Sequence, residues 1–167
     1  MRSTKLMNMT PKSIVTIYDK QGRDYQIEVN EHESILLLKV YRSLDCVGLR
    51  DMVGHIDCVF ESPNEMILGD IYFENKIDRN PLRCIYAFFH QEPKSYRRLG
   101  LGTAILEFLI KYVKEKGIKK LHGLITQDDL KSNPNLIKWY QYQGFTLEPL
   151  TAEEIENSVA KICLYLP

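Results

Sequence analysis

Between residues 96 and 103 the chain reads Tyr96-Arg97-Arg98-Leu99-Gly100-Leu101-Gly102-Thr103. This stretch follows an apolar run, residues 82–90, and opens a segment with helical periodicity. Two glycines let the backbone turn tightly and let a ligand approach without a Cβ in the way. The first amides of a helix lack intrahelical partners and bind phosphate readily, and the two arginines add positive charge. The stretch therefore predicts either a phosphate-binding turn or a purely structural one.

Two familiar phosphate-binding motifs do not fit this turn. A Walker loop requires Gly-Lys-Ser/Thr, and the dipeptide Gly102-Thr103 lacks the lysine. A dinucleotide fingerprint requires a third glycine three residues after the second, where Ile105 stands. The turn is therefore not that of a P-loop NTPase or of a Rossmann domain.

The segment after the glycines has the pattern of an amphipathic helix. Its apolar residues recur at helical spacing, and its charged residues fall mostly on the opposite side. Gly117 follows the last periodic residue, as is typical of a helix C-terminus, and Lys114 and Lys116 lie in the last turn, where cations suit the helix dipole. We predict a helix from Leu101 to Gly117 with the apolar positions Leu101, Ile105, Leu106, Phe108, Leu109, Tyr112 and Val113.

The rest of the second half alternates short strands and helices. Asn133 precedes a proline and Gly144 follows the last periodic residue, which predicts a helix over residues 134–143 with Asn133 as its N-cap. Thr151 and Glu154 have the spacing of a capping box and predict one more short helix. Strands are predicted at residues 120–126, 145–148 and 161–166.

The first half consists of strand signals. Residues 20–23 are a short polar linker with a glycine, typical of a hairpin, and Ser62-Pro63-Asn64 is another turn signal. Residues 82–90 are rich in aromatic and aliphatic side chains, as expected for a strand buried on both faces. Residues 43–51 are ambiguous and stay unassigned. The strands are predicted at residues 14–19, 24–29, 34–41, 52–61, 65–74 and 82–90.

Composition indicates one α/β domain spanning all 167 residues, with a frayed segment at residues 1–12. The 22 basic and 22 acidic residues balance, so no overall charge attracts nucleic acid or an anionic membrane. The cysteines are scattered without metal-ligand spacing, which predicts reduced, mostly buried thiols and no metal site. No stretch is long and apolar enough to be a membrane span, so we expect a cytoplasmic protein.

Two motifs carry a family resemblance. The run from Tyr96 to Gly102 resembles motif A of the GCN5-related N-acetyltransferases (GNAT), Arg/Gln-x-x-Gly-x-Gly/Ala after a central strand. Residues 133–145, Asn-Pro-Asn-Leu-Ile-Lys-Trp-Tyr-Gln-Tyr-Gln-Gly-Phe, are similar to motif B, Asn-x-x-Ala-x-x-x-Tyr-x-x-x-Gly-Phe. The resemblance covers roughly residues 82–145. It implies a mixed, largely antiparallel sheet that splays at the central strand, with acetyl-CoA in the gap.

The resemblance also implies which residues hold acetyl-CoA. Asn133 would contact the pantetheine arm or a bound water, and the Tyr140 hydroxyl would lie beside the coenzyme sulfur. In a continuous helix these two residues, seven apart, would share one face. Alternatively, Asn133 is only an N-cap and Tyr140 only a core aromatic residue. The expected cofactor-binding residues are Phe88, Phe89, His90, Gln91, Arg97, Arg98, Leu99, Gly100, Leu101, Gly102, Thr103, Asn133 and Tyr140.

The implied mechanism is direct attack of a neutral amine on the acetyl thioester. Backbone amides near Phe88 to Gln91 would stabilise the oxyanion, and Tyr140 would protonate the departing thiolate. Free tyrosine has a pKa of about 10 and a thiol about 8.5, so full proton transfer is uphill by roughly 2 kcal/mol. His90 is the expected general base. Glu92 or Asp128 could act through water instead, or the neutral fraction of amine could bind without a base.

The chain departs from the family pattern at Leu136, at Trp139, and in the connection from His90 to Tyr96. The two early helices that normally help to form the acceptor site are missing from the pattern, so the acceptor is not identified. It could be a small-molecule amine, an amino group of a protein or peptide, or an aminoacyl-tRNA. The alternative function is a non-catalytic module that binds coenzyme A as a sensor or structural subunit. Exposed apolar strands in the first half would permit a homodimer.

Overall fold

The computed structural model describes residues 14–44, 49–74 and 95–167. Its first half is an antiparallel meander in which each strand pairs with the next. Apolar and polar residues alternate along these strands, so that Tyr25, Ile27 and Val29 are buried while their neighbours are more exposed. The strands are β1 (Ile14–Tyr18), β2 (Asp24–His32), β3 (Ile35–Leu44), β4 (Leu49–Ser62) and β5 (Glu65–Phe73).

The first five predicted strands are confirmed, and the described residues before residue 74 contain no helix. In the unassigned segment 43–51, β3 continues to Leu44 and β4 begins at Leu49. The predictions of a frayed segment 1–12 and of a strand over 82–90 lie outside the described residues, and so do the predicted roles of Phe88, Phe89, His90 and Gln91.

The second half alternates helices and strands as predicted, with one additional helix. The elements are α1 (Leu101–Glu115), β6 (Lys120–Ile125), α2 (Gln127–Ser132), α3 (Leu136–Tyr142), β7 (Thr146–Glu148), α4 (Ala152–Ile155) and β8 (Ala160–Tyr165). The sequence analysis missed α2. A capping box begins it, in which Asp129 N–H donates to Thr126 Oγ1 (3.2 Å) and Thr126 N–H donates to Asp129 Oδ2 (2.8 Å). In the sequence, the start of α2 is indicated by the Thr-x-x-Asp spacing, in which aspartate replaces the glutamate that is usual at the fourth position of a capping box.

The described strands form one eight-stranded sheet in the order β1-β2-β3-β4-β5-β6-β8-β7. All pairings are antiparallel except that of β5 with β6, which is parallel. This pairing joins the five-stranded first half to the three-stranded second half. The mixed, largely antiparallel sheet of the prediction is confirmed.

The ladder between β5 and β6 is short. It covers three residue pairs, from Glu65 opposite Lys120 to Ile67 opposite His122. Beyond it, a Cβ built on Gly123 would lie 2.9 Å from the Leu68 carbonyl oxygen, so the close approach of the two backbones requires glycine there. From this point β5 continues along β4 as far as Phe73, while β6 continues along β8. Beyond this point no pairing of β5 with β6 is recorded among the described residues, and we call the region between their unpaired ends the β5–β6 gap.

Among the described strands, β5 is the one that pairs with β6 and so joins the antiparallel first half to the second half. The prediction of residues 82–90 as the central strand lies outside the described residues and stays a prediction.

The core lies between the sheet and α1. The apolar stripe of α1 is buried as its periodicity predicts, with Leu101, Ile105, Leu106, Leu109 and Val113 inside. The described cysteines, Cys58 and Cys163, are free and buried, as expected, whereas Cys46 and Cys84 lie outside the described residues. Within the described ranges, none of the helices has the length and apolar character needed to span a bilayer.

Candidate active site

The glycine turn adopts a backbone conformation that glycine is suited to supply. Gly100 is the N-cap of α1 with φ 87° and ψ −2°, in the left-handed region. The β1–β2 hairpin closes over it, because Lys20 N–H donates to the Leu99 carbonyl oxygen at 2.9 Å. A Cβ on Gly100 would lie 2.9 Å from Cγ of Lys20. The sequence analysis missed Lys20, because only the tertiary fold brings the hairpin to this turn.

The amides of this turn are available to a ligand. Ala104 N–H donates to the Gly100 carbonyl oxygen at 3.0 Å. Among the described residues, no hydrogen bond is recorded for the N–H groups of the residues from Leu99 to Thr103. A pocket of about 260 Å³ adjoins the turn and is lined by Tyr18, Asp19, Lys20, Gly100, Thr103, Ala104 and Glu107. The turn thus combines unpartnered donors, a helix N-terminus and nearby cationic side chains, which suits an anion.

Tyr140 lies on α3 and points toward the sheet. Its side chain is buried between the rings of Trp139 and Phe145, whose centroids are 4.7 Å and 5.2 Å from its own. Burial raises the pKa of Tyr140 well above its usual value, and the charges of Asp129 and of Asp70 on β5 raise it further. No hydrogen bond of its hydroxyl is recorded within the described part of the chain. The phenol is therefore held neutral, with its proton free to donate.

Trp139 joins the glycine turn to Tyr140. Its indole Nε1–H donates to Thr103 Oγ1 on the first turn of α1, at 3.1 Å. A Cβ built on Gly102 would lie 3.8 Å from Trp139 Cζ2 and 4.0 Å from Phe73 Cε2, at the end of β5. The indole thus touches α1, lies near the end of β5 and stacks edge-on against Tyr140. The sequence analysis noted Trp139 only as a departure from the family pattern.

Asn133 is not the N-cap of the motif B helix, which corrects the prediction. It is the C-cap of α2 with extended dihedral angles, φ −144° and ψ 91°, and Asn135 is the N-cap of α3. Its Oδ1 accepts a hydrogen bond from Asn135 N–H at 3.3 Å. Because the capping box at Thr126 starts a helix that ends at Ser132, Asn133 stands between two helices. Helical spacing therefore cannot place it on one face with Tyr140, and its ligand role stays a prediction.

These features agree with a comparison of sequence patterns. The pattern of the acetyltransferase (GNAT) family matches residues 14–145, which include β1 to β5, the glycine turn and Tyr140. This chain belongs to the GNAT family. The match begins at β1, so the five-stranded first half is part of the GNAT unit rather than an appendage to it.

Known proteins extend the GNAT assignment. A stretch of 54 residues, 32% of this chain, is 35% identical to an uncharacterized N-acetyltransferase, ycf52-like, of Prochlorococcus marinus; the chain matches only 26% of that relative's length. The GNAT domain of S. lividans PAT has a TM-score of 0.61 at 10% identity, over 92% of this chain and 97% of that one. A GNAT family acetyltransferase from Elizabethkingia anophelis, solved with acetyl-CoA bound, has a TM-score of 0.52 at 16% identity, over 80% and 77%. At these identities the structures support the GNAT fold.

The candidate general bases of this GNAT protein differ in where they lie relative to Tyr140. His90 and Glu92 lie outside the described residues. Asp128 is exposed on α2 and pairs with Lys131 at 2.7 Å, with no recorded contact to Tyr140. Asp70 was missed, although it lies on a predicted strand. Its side chain is exposed, and its charge raises the pKa of Tyr140, although the charge of Asp129 has the larger effect. The Asp129 carboxylate accepts hydrogen bonds from Thr126 in the capping box, whereas none is recorded for Asp70 within the described residues.

Proposed function

We propose that this GNAT protein is an N-acetyltransferase that transfers the acetyl group of acetyl-CoA to a primary amine by direct attack in a ternary complex. One observation carries the proposal: Trp139 joins the glycine turn, whose amides have no recorded partner among the described residues, to the buried Tyr140. The first feature suits a diphosphate and the second suits a thiolate leaving group. A ligand with a diphosphate at one end and a thioester at the other matches this arrangement.

The coenzyme is proposed to lie along the β5–β6 gap. The turn from Arg97 to Thr103 holds its diphosphate, with the two arginines adding charge. Beyond Leu68, β5 has lost its pairing with β6, so the backbone groups on that side face the gap. They can pair with the amide groups of the pantetheine arm and, near Phe73, stabilise the oxyanion. This is the role that the resemblance implied for Phe88 to Gln91, which lie outside the described residues.

Tyr140 is proposed to assist departure of the thiolate. Because its pKa is raised, the phenol stays protonated at neutral pH and can donate a hydrogen bond to the sulfur. Full proton transfer is uphill by more than the roughly 2 kcal/mol of the free groups, unless the apolar site also raises the pKa of the thiol. Its contribution is therefore a hydrogen bond that strengthens as negative charge develops on sulfur.

Asp70 is proposed to attract the acceptor while it is still an ammonium ion. The small neutral fraction of amine, which has lost one proton to solvent, attacks the thioester, and Asp70 accepts the second proton that nitrogen releases after attack. An alkylammonium has a pKa of about 10.4 and a carboxylic acid about 3.9, so direct deprotonation by a carboxylate is uphill by roughly 9 kcal/mol. Once nitrogen has attacked the carbonyl carbon, it is far more acidic, and a carboxylate can receive the proton through water. Asp70 therefore attracts the amine first and acts as a base later.

A calorimetric titration with acetyl-CoA tests the cofactor site. Gly102→Trp should abolish the binding heat while the fold is retained, because the new ring must displace Trp139 or enter the gap. Gly102→Ala is the matched control and should still bind, since its methyl group would meet nothing closer than 3.8 Å. Absence of binding to the wild-type chain would contradict the proposal.

Release of free thiol from acetyl-CoA with a panel of amines tests the transfer. The panel should contain small amines, peptides with free N-termini and aminoacyl-tRNA, because the acceptor class remains open. Binding without thiol release for any of them would favour the alternative of a coenzyme-binding module. A cytoplasmic location stays a prediction, and homodimer formation stays a prediction testable by light scattering.

A further inference from the structure

Trp139 occupies a position that the reaction as proposed does not explain. It is the single tryptophan of the chain, one residue before Tyr140, and its side chain is half-buried. It donates a hydrogen bond to Thr103, packs against Tyr140, and lies 3.8 Å from the position that a Cβ on Gly102 would take. The indole therefore contacts both the first turn of α1 and the ring of Tyr140.

The indole is fixed at both ends. Its one polar group, Nε1–H, is satisfied by the Thr103 hydroxyl at 3.1 Å, which sets the rotation of the ring. Its edge-on packing against Tyr140, at 4.7 Å between centroids, ties the phenol to that rotation. Because Thr103 belongs to the first turn of α1, the hydrogen bond holds α3 at a set distance from the turn that receives the phosphates.

We propose that Trp139 is a positioning residue that forms the apolar wall of the pantetheine channel and holds Tyr140 at the distance of the coenzyme sulfur. The inference rests on the proposed function, because it requires the coenzyme to lie in the β5–β6 gap. The indole meets the turn through the Thr103 hydroxyl rather than through the amides proposed to hold the diphosphate, so its contact with the coenzyme is placed at the methylene part of the arm. It acts on the reaction through Tyr140 rather than by touching the reacting atoms.

Two ligands separate this role from a general loss of structure. Coenzyme A contains the arm, whereas 3′-phospho-ADP is its nucleotide part alone. Trp139→Leu should weaken coenzyme A binding about tenfold and leave 3′-phospho-ADP binding unchanged, both measured by calorimetry. Equal losses for the two ligands, or no loss for either, would overturn the proposal. Failure of the wild-type chain to bind either ligand would instead remove the proposed function, and this inference with it.

Two conservative variants test the hydrogen bond. Thr103→Val removes the acceptor with a side chain of the same shape, and Trp139→Phe removes the donor but keeps an aromatic ring. Thr103→Val should lower kcat several-fold with little change in the KM for acetyl-CoA, because the backbone amide of residue 103 and the indole both remain while Tyr140 loses its fixed position. Trp139→Phe should lower kcat to a similar extent. A rise in KM with unchanged kcat would contradict the positioning role.

The single tryptophan supplies a signal that a structural role would not produce. Its emission should change on addition of coenzyme A and stay unchanged with 3′-phospho-ADP, because only the arm reaches the indole. In Thr103→Val the emission of the free protein should shift, since Nε1–H loses its partner. An equal emission change with both ligands would count against contact with the arm.

Discussion

Substitution by alanine should change the stability of the protein in opposite directions at the two glycines of the glycine turn. Gly100 has φ 87°, where a side chain costs about 1–2 kcal/mol. Its new Cβ would also lie 2.9 Å from Lys20 Cγ, but the exposed lysine side chain can move aside. Gly102 lies within α1, and its Cβ would meet nothing closer than 3.8 Å. Alanine there removes flexibility from the unfolded chain and stabilises by about 0.5–1 kcal/mol.

For a chain of 167 residues, a change of one kcal/mol shifts Tm by about 2–4 °C. Gly100→Ala should therefore lower Tm by about 2–8 °C, and Gly102→Ala should raise it by about 1–4 °C. Gly22→Ala is a control, because Gly22 also has a positive φ, 78°, but nothing lies within 4 Å of its Cβ position. It should match the backbone part of the Gly100→Ala effect without the contact with Lys20.

Thermal unfolding followed by circular dichroism measures all three variants under one buffer condition. Tm shifts of the same sign for Gly100→Ala and Gly102→Ala would refute the assignment of different backbone roles to the two positions. A loss in Gly22→Ala larger than that in Gly100→Ala would show that the hairpin turn, rather than the coenzyme turn, is the more constrained of the two.

Three further outcomes are expected. Tyr140→Phe should lower kcat by about 100-fold, measured by thiol release, with an unchanged Tm because no hydrogen bond of its hydroxyl is recorded in the described structure. Asp70→Asn should raise the KM for the amine about tenfold and leave the affinity for acetyl-CoA unchanged in calorimetry. Hydrogen bonds from Tyr165, Cys163 and Lys120, that from Tyr165 first, lower the pKa of Glu148 from 4.5 to about 2. Their stabilising effect is therefore complete above pH 4.5 and is lost as pH falls toward 2. Glu148→Gln should lower the urea midpoint at pH 7 and not at pH 2; an equal effect at both would contradict the shift.

Local signals in the sequence predicted most of the elements. The periodicity after Gly102 and the glycine at 117 identified α1, and the capping box at Thr151 identified α4. Each of these signals depends on a few neighbouring residues, so it does not depend on how the rest of the chain folds. The turn that binds the diphosphate in our proposal belongs to the same class, since its glycines and arginines are contiguous.

The errors arose where distant parts of the chain meet. The pairing of β5 with β6 could not be inferred from the sequence, because strand pairing depends on the path of the whole chain. Asn133 was misassigned because its proline signal did not reveal that another helix ends at Ser132. Lys20 and Asp70 come near the site only through the tertiary fold. No spacing pattern in the sequence predicts either of them as a site residue.

The short ladder between β5 and β6 has a mechanical meaning. Three residue pairs connect the first five strands of the sheet to the last three, and Gly123 lies just beyond the last of these pairs. A ligand bound beyond these pairs would connect the two strands where their backbones do not pair. Binding of the coenzyme should therefore slow amide hydrogen exchange at the C-terminal ends of β5 and β6. The exchange rates of these amides would then report the fraction of protein that has coenzyme bound.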